Sequence, residues 1–393
     1  MIKYSLYFLI IFALIGLELN ARVQYSLIQS AGVKCTNCHT VTQGAGLRNG
    51  GGWMSRKDIS LIPTEWISAD KFFDLLSSNT FLDDKVTFGF DTRLQSAKWG
   101  TPGASKRDFM VMQLAPYLSI KPFSWLELEG MYNIAYDLYT DKRYVGQNPF
   151  VGSVVLTPSS DLPSLRIGYF QPTFGIRWDD HTVLTRQFIG KQSRRPIIPD
   201  DYAEFGAQLD YENIEWLSLS LGAFQSKNMS KLLVRDKNGQ SIPIVDTNSI
   251  ALAGRAFVSP EIGGGFTSFF GGTYYLNGDY YIGGLHFGIG KPDLFSFIFE
   301  YMDTEKKDAR RTLSFTTELT YHLMESVLPY VRAERHISRE KIEPAPYYST
   351  QYVIGAHIYL LPFIDILPEY RIFDREHIDG YSASWALQIH IWY

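Results

Sequence analysis

Two thiols three residues apart, with a histidine directly behind the second, form the stretch Cys35-Thr36-Asn37-Cys38-His39. On one helical turn the two sulfurs can form thioethers with both vinyl groups of a porphyrin, and the adjoining imidazole then lies under the iron. A small disulfide or a thioredoxin-like redox pair is the competing chemistry. Neither requires the histidine, and no βαβ pattern surrounds the pair. The expectation is one covalent haem c on Cys35 and Cys38, the only cysteines of the chain, with His39 as proximal iron ligand.

The segment that must hold this site runs over residues 22–84. Ser30 to His39 reads as a short helix carrying the motif. Gly44, Gly46 and Gly50 to Gly52 read as a flexible, close-packed loop, and Ser68-Ala69-Asp70 as the start of a helix through Leu76. About 60 residues bury too little apolar surface for a freestanding haem domain, so part of the pocket is expected from the rest of the chain. Met54, behind Trp53, is the one methionine of the segment and the nearest candidate for the sixth iron ligand; filling a gap at the haem edge is its other reading.

Residues 1–21 read as an address. Lys3 supplies a positive region, Tyr4 to Leu17 an apolar core and Leu19-Asn20-Ala21 a cleavage site, so the mature chain is expected to begin at Arg22. Covalent haem attachment takes place outside the bacterial cytoplasm, which agrees with export, and no cysteine at the cleavage point calls for a lipid anchor.

The 393 residues carry a net charge of −4, with 20% charged and 15% aromatic residues, 25 Tyr and 32 Gly. This suits neither a disordered chain nor a helical enzyme, and nucleic acid is not an expected partner. Mean hydropathy is −0.10, and past the N-terminus no apolar run reaches the roughly 20 residues of a spanning helix. Membrane residence must come from strands.

Residues 85–393 supply them. Val86, Phe88, Phe90 and Leu94 alternate with Thr87, Gly89, Asp91 and Arg93; Phe295 to Tyr301 alternate with Ser296 and Glu300. Alternate connections are short, as at Glu212-Asn213 and Leu361-Pro362, whereas those between read as long and polar: 98–107, 140–148, 177–201, 227–248, 303–310, 338–346 and 374–380. Trp385, Leu387, Ile389, Ile391 and Tyr393 form a final apolar row ending in an aromatic residue, similar to the assembly signal of outer-membrane proteins. The fold class is all-β: a transmembrane antiparallel β-barrel of about 16 strands behind a small helical or irregular haem-binding segment.

Parity places Glu127, Glu204, Glu300, Glu318 and Glu334 inside with fewer arginines. This acidic excess makes the lumen mildly attractive to cations or braces it through salt bridges. His286, His322, His357 and His390 also point inward, near the mouth where the N-terminal segment must enter, and rival Met54 as sixth ligand. His181, His336 and His377, with Asp179, Asp180 and Glu376, lie toward the other end and could bind ferrous iron transiently.

On Gly32-x-x-Cys35-x-x-Cys38-His39-Thr40 behind a signal peptide and ahead of such a barrel, the chain resembles the fused cytochrome–porin proteins of the outer membrane. After Thr40 it carries Gly44-Ala45-Gly46-Leu47-Arg48-Asn49 where that family has a proline and an aromatic-Gly-Arg element. The resemblance implies one c-type haem before a barrel in the outer membrane, and ferrous iron oxidation as one activity. Residues 22–84 are then expected to enter or cap the periplasmic mouth. Electrons would pass, in either direction, between an external donor such as ferrous iron and a periplasmic c-type cytochrome or other carrier. The alternatives are a diffusion porin for small solutes with a tethered haem segment, and a structural barrel with a disulfide plug.

Overall fold

Period-two patterning becomes sheet from Val86 onward. The computed structural model describes residues 34–393 apart from 43–45, 100–105, 136–149, 160, 177–182, 185–196, 200–201, 261, 293, 344 and 376–381. The signal segment, His181, His377, Asp179, Asp180 and Glu376 lie outside the described residues.

The first eight barrel strands are β1 (Val86–Trp99), β2 (Lys106–Phe123), β3 (Leu126–Tyr132), β4 (Phe150–Leu156), β5 (Ser164–Phe170), β6 (Glu204–Tyr211), β7 (Leu217–Phe224) and β8 (Ala251–Val258). The second eight are β9 (Thr267–Asn277), β10 (Tyr280–Lys291), β11 (Phe295–Lys306), β12 (Arg310–Tyr321), β13 (Val327–Glu340), β14 (Tyr347–Leu361), β15 (Ile364–Arg375) and β16 (Ser382–Trp392). Each pairs antiparallel with its neighbours, and β16 returns to β1 with Trp392 opposite Asp91, closing a cylinder of 16 strands. Closure leaves no unpaired edge, which is the condition for a sheet to sit in lipid. Among the described residues no helix is long and apolar enough to cross a membrane.

Parity holds along the strands. On β13 the side chains of Leu328, Tyr330, Arg332, Glu334, His336 and Ser338 are buried inside, while Val331 faces out. Phe270, Leu285, Leu319 and Ile354 stand exposed on the outer wall. The sequence reading of 303–310 as a long loop is corrected: β11 runs to Lys306 and β12 starts at Arg310. Outward Asp303 accepts a 2.7 Å ion pair from Arg311 on the next strand. These residues are polar because the strands have risen past the apolar band, not because they have left the sheet.

A second correction concerns the loops between β5 and β6 and between β7 and β8, which are not wholly polar. Phe174, Ile197, Ile198, Met229, Val234, Ile244 and Val245 fold inward and form one apolar cluster with Phe224, Tyr275, Tyr280 and Met302 of the wall. The β5–β6 connection crosses the bore. The Thr173 amide donates to Gln208 of β6 at 3.0 Å, Ile176 to Glu300 of β11 at 2.5 Å and Leu184 to Glu334 of β13 at 2.5 Å. The inward carboxylates thus serve as acceptors for buried backbone amides, which would otherwise be left unsatisfied.

Candidate functional site

At the opposite end, that of the short turns and of the C-terminus, residues 34–62 pack into the mouth. Cys35–Asn37 form a single 3-10 turn, with Cys38 N donating to Cys35 O at 3.2 Å and His39 N to the same oxygen at 2.9 Å. Both thiols and the imidazole therefore sit on one turn and its exit, as the thioether geometry requires. The thiols are not bonded to each other. Burial pushes the Cys35 thiol above its ordinary value, and the nearby Arg255 guanidinium opposes that shift.

Asn49 organises this turn. Its Nδ2 donates to Thr36 O at 2.8 Å and His39 O at 3.1 Å, and its Oδ1 accepts from Gly52 N at 3.0 Å, capping helix α1 (Gly50–Lys57). The sequence reading of Gly50 to Gly52 as a flexible loop is therefore corrected, and the glycines have another purpose. A Cβ at Gly51 would lie 2.6 Å from Asn37 O, and one at Gly52 would overlap the Cys38 carbonyl. The helix is pressed backbone to backbone onto the cysteine turn, an approach that no side chain permits. A second helix, α2 (Asp70–Leu75), follows close to the expected position.

The barrel wall supplies the other side of this packing. Lys34 and Thr36 hydrogen-bond Glu212 in the β6–β7 turn. Leu47 packs on Ala115, Tyr117 and Met131, and Trp53 is wholly buried against Phe363 and Trp392. Ile59 meets Leu328 and Tyr359, and Leu61 N donates to Tyr359 O at 2.7 Å. Arg255 of β8 ties the two ends together: Nη2 donates to Thr42 O of the N-terminal segment at 2.7 Å and Nη1 to Gly175 O of the bore-crossing connection at 3.2 Å.

The candidate ligands separate by environment. Met54 leaves α1 with 53% of its surface exposed, on a different face from Trp53. His357 is committed through Nδ1 to Asp365 at 2.7 Å, and His390 through Nε2 to Asp91 at 3.0 Å. His286 is buried with Nδ1 unpartnered, its imidazole laid over Gly271 and 6.3 Å from the Phe269 ring. His322, in the β12–β13 turn, has both nitrogens buried and unpartnered; burial first and Arg56 second hold it down at about 4. An unpartnered imidazole is a donor of the type that suits an iron porphyrin. His336 faces inward, buried, nearer the loop end. Among the described residues no group of three or more His, Cys, Asp or Glu is placed to hold a bare metal ion.

Sequence reasoning missed Asn49, Arg48, Arg56 and the linking role of Arg255. Asn49 ahead of a helix start is a legible cap signal, masked here by three glycines that read as a loop.

No protein-family model matches the sequence, and no curated protein matches it. Solved barrels do match the structure. OprB of Pseudomonas putida, in a high-pH structure, superposes with TM-score 0.53 at 10% identity, over 82% of this chain and 97% of that one. A loop L8 deletion mutant of OmpT, an outer membrane protein of Vibrio cholerae, gives 0.52 at 10% identity, over 78% and 99%. An anion-selective porin from Comamonas acidovorans gives 0.51 at 11%, over 78% and 98%. At such identities the likeness establishes the fold alone, a closed 16-stranded antiparallel barrel of the outer-membrane porin type.

Proposed function

We propose that this chain resides in the outer membrane with its N-terminal segment on the periplasmic side, carries one haem c in the barrel mouth, and passes electrons between an external donor and a periplasmic carrier. Cys35 and Cys38 would hold the porphyrin and His39 the iron, with Met54 or an unpartnered wall histidine as sixth ligand. When bound, the haem supplies a one-electron ferric/ferrous couple. The chain's own residues hold the motif in the barrel mouth: Trp53, Leu47 and Ile59 against the wall, Arg255 between the segment and the bore-crossing connection.

The single observation that carries this reading is the seat of the cysteine turn within the barrel rather than on a tether below it. The apolar band of such a membrane is about 25 Å tall, and tunnelling falls off exponentially with distance, so a carrier held inside the bore shortens a gap that one wholly outside could not cross. Ferrous iron is a donor of the right chemical class, and a c-type cytochrome an acceptor. The second reading, a diffusion porin with a tethered haem segment, draws its channel part on the shared fold with a barrel described as an anion-selective porin.

Haem staining of the membrane fraction tests the first step. Wild type is expected to stain and the Cys35→Ser, Cys38→Ser double variant to lose the stain. Liposome conductance then separates the two readings, since a conduit passes little ionic current and a diffusion porin passes a large one.

A further inference from the structure

Four buried arginines of the barrel wall are neutralised by carboxylates, while Arg255 is held by backbone carbonyls. Arg93 meets Asp91 at 3.2 Å, Arg332 meets Glu334 at 2.7 Å, and Arg166 and Arg371 pair with Glu129 and Glu369. Two arginines of the N-terminal segment are not. Among the described residues neither Arg48 nor Arg56 has a carboxylate within 4.0 Å. Arg56 is only 9% exposed, its Nη1 has no hydrogen-bond partner, and its guanidinium lies 5.0 Å from the Tyr359 ring centroid. Arg48 stacks 4.1 Å from the Trp392 ring centroid. Burial first and the Arg56 charge second push the Arg48 guanidinium below its ordinary value. Asp91, the carboxylate that acts on Arg48, is already committed to Arg93 and His390.

A guanidinium withdrawn from water without a counter-ion, as that of Arg56 is, costs on the order of several kcal/mol; half-buried Arg48 costs less, and an aromatic face returns only about 0.5–2 kcal/mol. Such a pair is a site awaiting an anion. Arg48 is bridged to His39 through the backbone, and Arg56 lies toward the other end of the helix whose glycines press on Asn37 and Cys38. A haem c bears two carboxylates, its propionates, and each guanidinium presents a planar fork of donors suited to one carboxylate.

We propose that Arg48 and Arg56 form the clamp for the two propionates of a haem attached at Cys35 and Cys38. The inference rests on the haem reading above and deepens it. The aromatic rings of Trp392 and Tyr359 lie against the two guanidiniums. As positioning residues, the arginines hold the haem edge against the wall formed by β14 and β16. Their charge also disfavours the additional positive charge of ferric iron, which raises the reduction potential.

The test uses the full chain in detergent after a positive haem stain. In a spectroelectrochemical titration Arg48→Gln and Arg56→Gln are each expected to lower the midpoint potential. The ferrous/ferric ratio at a fixed potential should fall about tenfold, ~59 mV for one electron. Arg56→Lys, which keeps the charge, is expected to retain most of the potential. Thermal unfolding supplies a second measurement. Arg56→Leu should lower the transition of the haem-bearing protein yet raise it in the haem-free Cys35→Ser, Cys38→Ser background, where the substitution removes an uncompensated charge. An unmoved potential in both Gln variants, or the same sign of stability change in both backgrounds, overturns the clamp and leaves the haem standing. Absence of covalent haem from wild type overturns both.

Discussion

One carboxamide, that of Asn49, holds both ends of the cysteine turn and the Gly52 amide in the first turn of the helix packed on it. Asn49→Ala removes a helix cap worth about 1 kcal/mol and two further bonds of about 1 kcal/mol each. The expected result is a loss of about 2–3 kcal/mol in the stability of the N-terminal segment, read by its protease sensitivity in urea. Gly52 gives a sharper case because two effects have opposite signs. In an isolated helix Gly→Ala stabilises by roughly 1 kcal/mol, but here the methyl group would overlap the Cys38 carbonyl. Gly52→Ala is expected to loosen the turn from α1 and speed proteolysis of the segment; unchanged or slower cleavage would show that helix propensity outweighs the contact.

At the scale of the element, β11 shows where the apolar band ends. Its outward row runs Phe295, Phe297, Phe299, Tyr301 and then Asp303 and Glu305, with Asp303 paired to Arg311. A cation near the middle of that row meets hydrocarbon, at a cost of about 2–4 kcal/mol. Phe299→Arg is therefore expected to lower the free energy of urea unfolding in lipid vesicles by that amount. Arg311→Leu, above the band, should stay within about 0.5 kcal/mol because the lost ion pair is exposed and screened. Equal effects of the two would place the lipid boundary elsewhere.

Considered as a whole molecule, the cylinder is occupied from both ends, by residues 34–62 at the short-turn mouth and by the inward-folded connections at the other, and the two meet on Arg255. Deletion of residues 22–84 alone is expected to raise liposome conductance only slightly. The same deletion combined with shortening of the 171–203 connection should open a porin-like current. A full current from the first deletion would mean that the loop-end cluster does not obstruct ions.

Local pattern determined what local physics governs. Covalent spacing on one turn marked Cys35, Cys38 and His39, and period two assigned Glu318, Glu334 and His286 to the inside, because a strand alternates its side chains whatever surrounds it. It also gave the strand count and the closed sheet. Tertiary structure alone decided how the bore is filled. Arg255 and Thr42 are 213 residues apart, and no periodicity encodes that they meet. Apolar residues such as Ile197 and Val245 within polar loops gave no sign of their direction until a lumen existed to receive them. Likewise, the lack of a carboxylate partner for Arg48 and Arg56 is a property of everything packed around them, which becomes defined only once the cylinder has closed on the N-terminal segment.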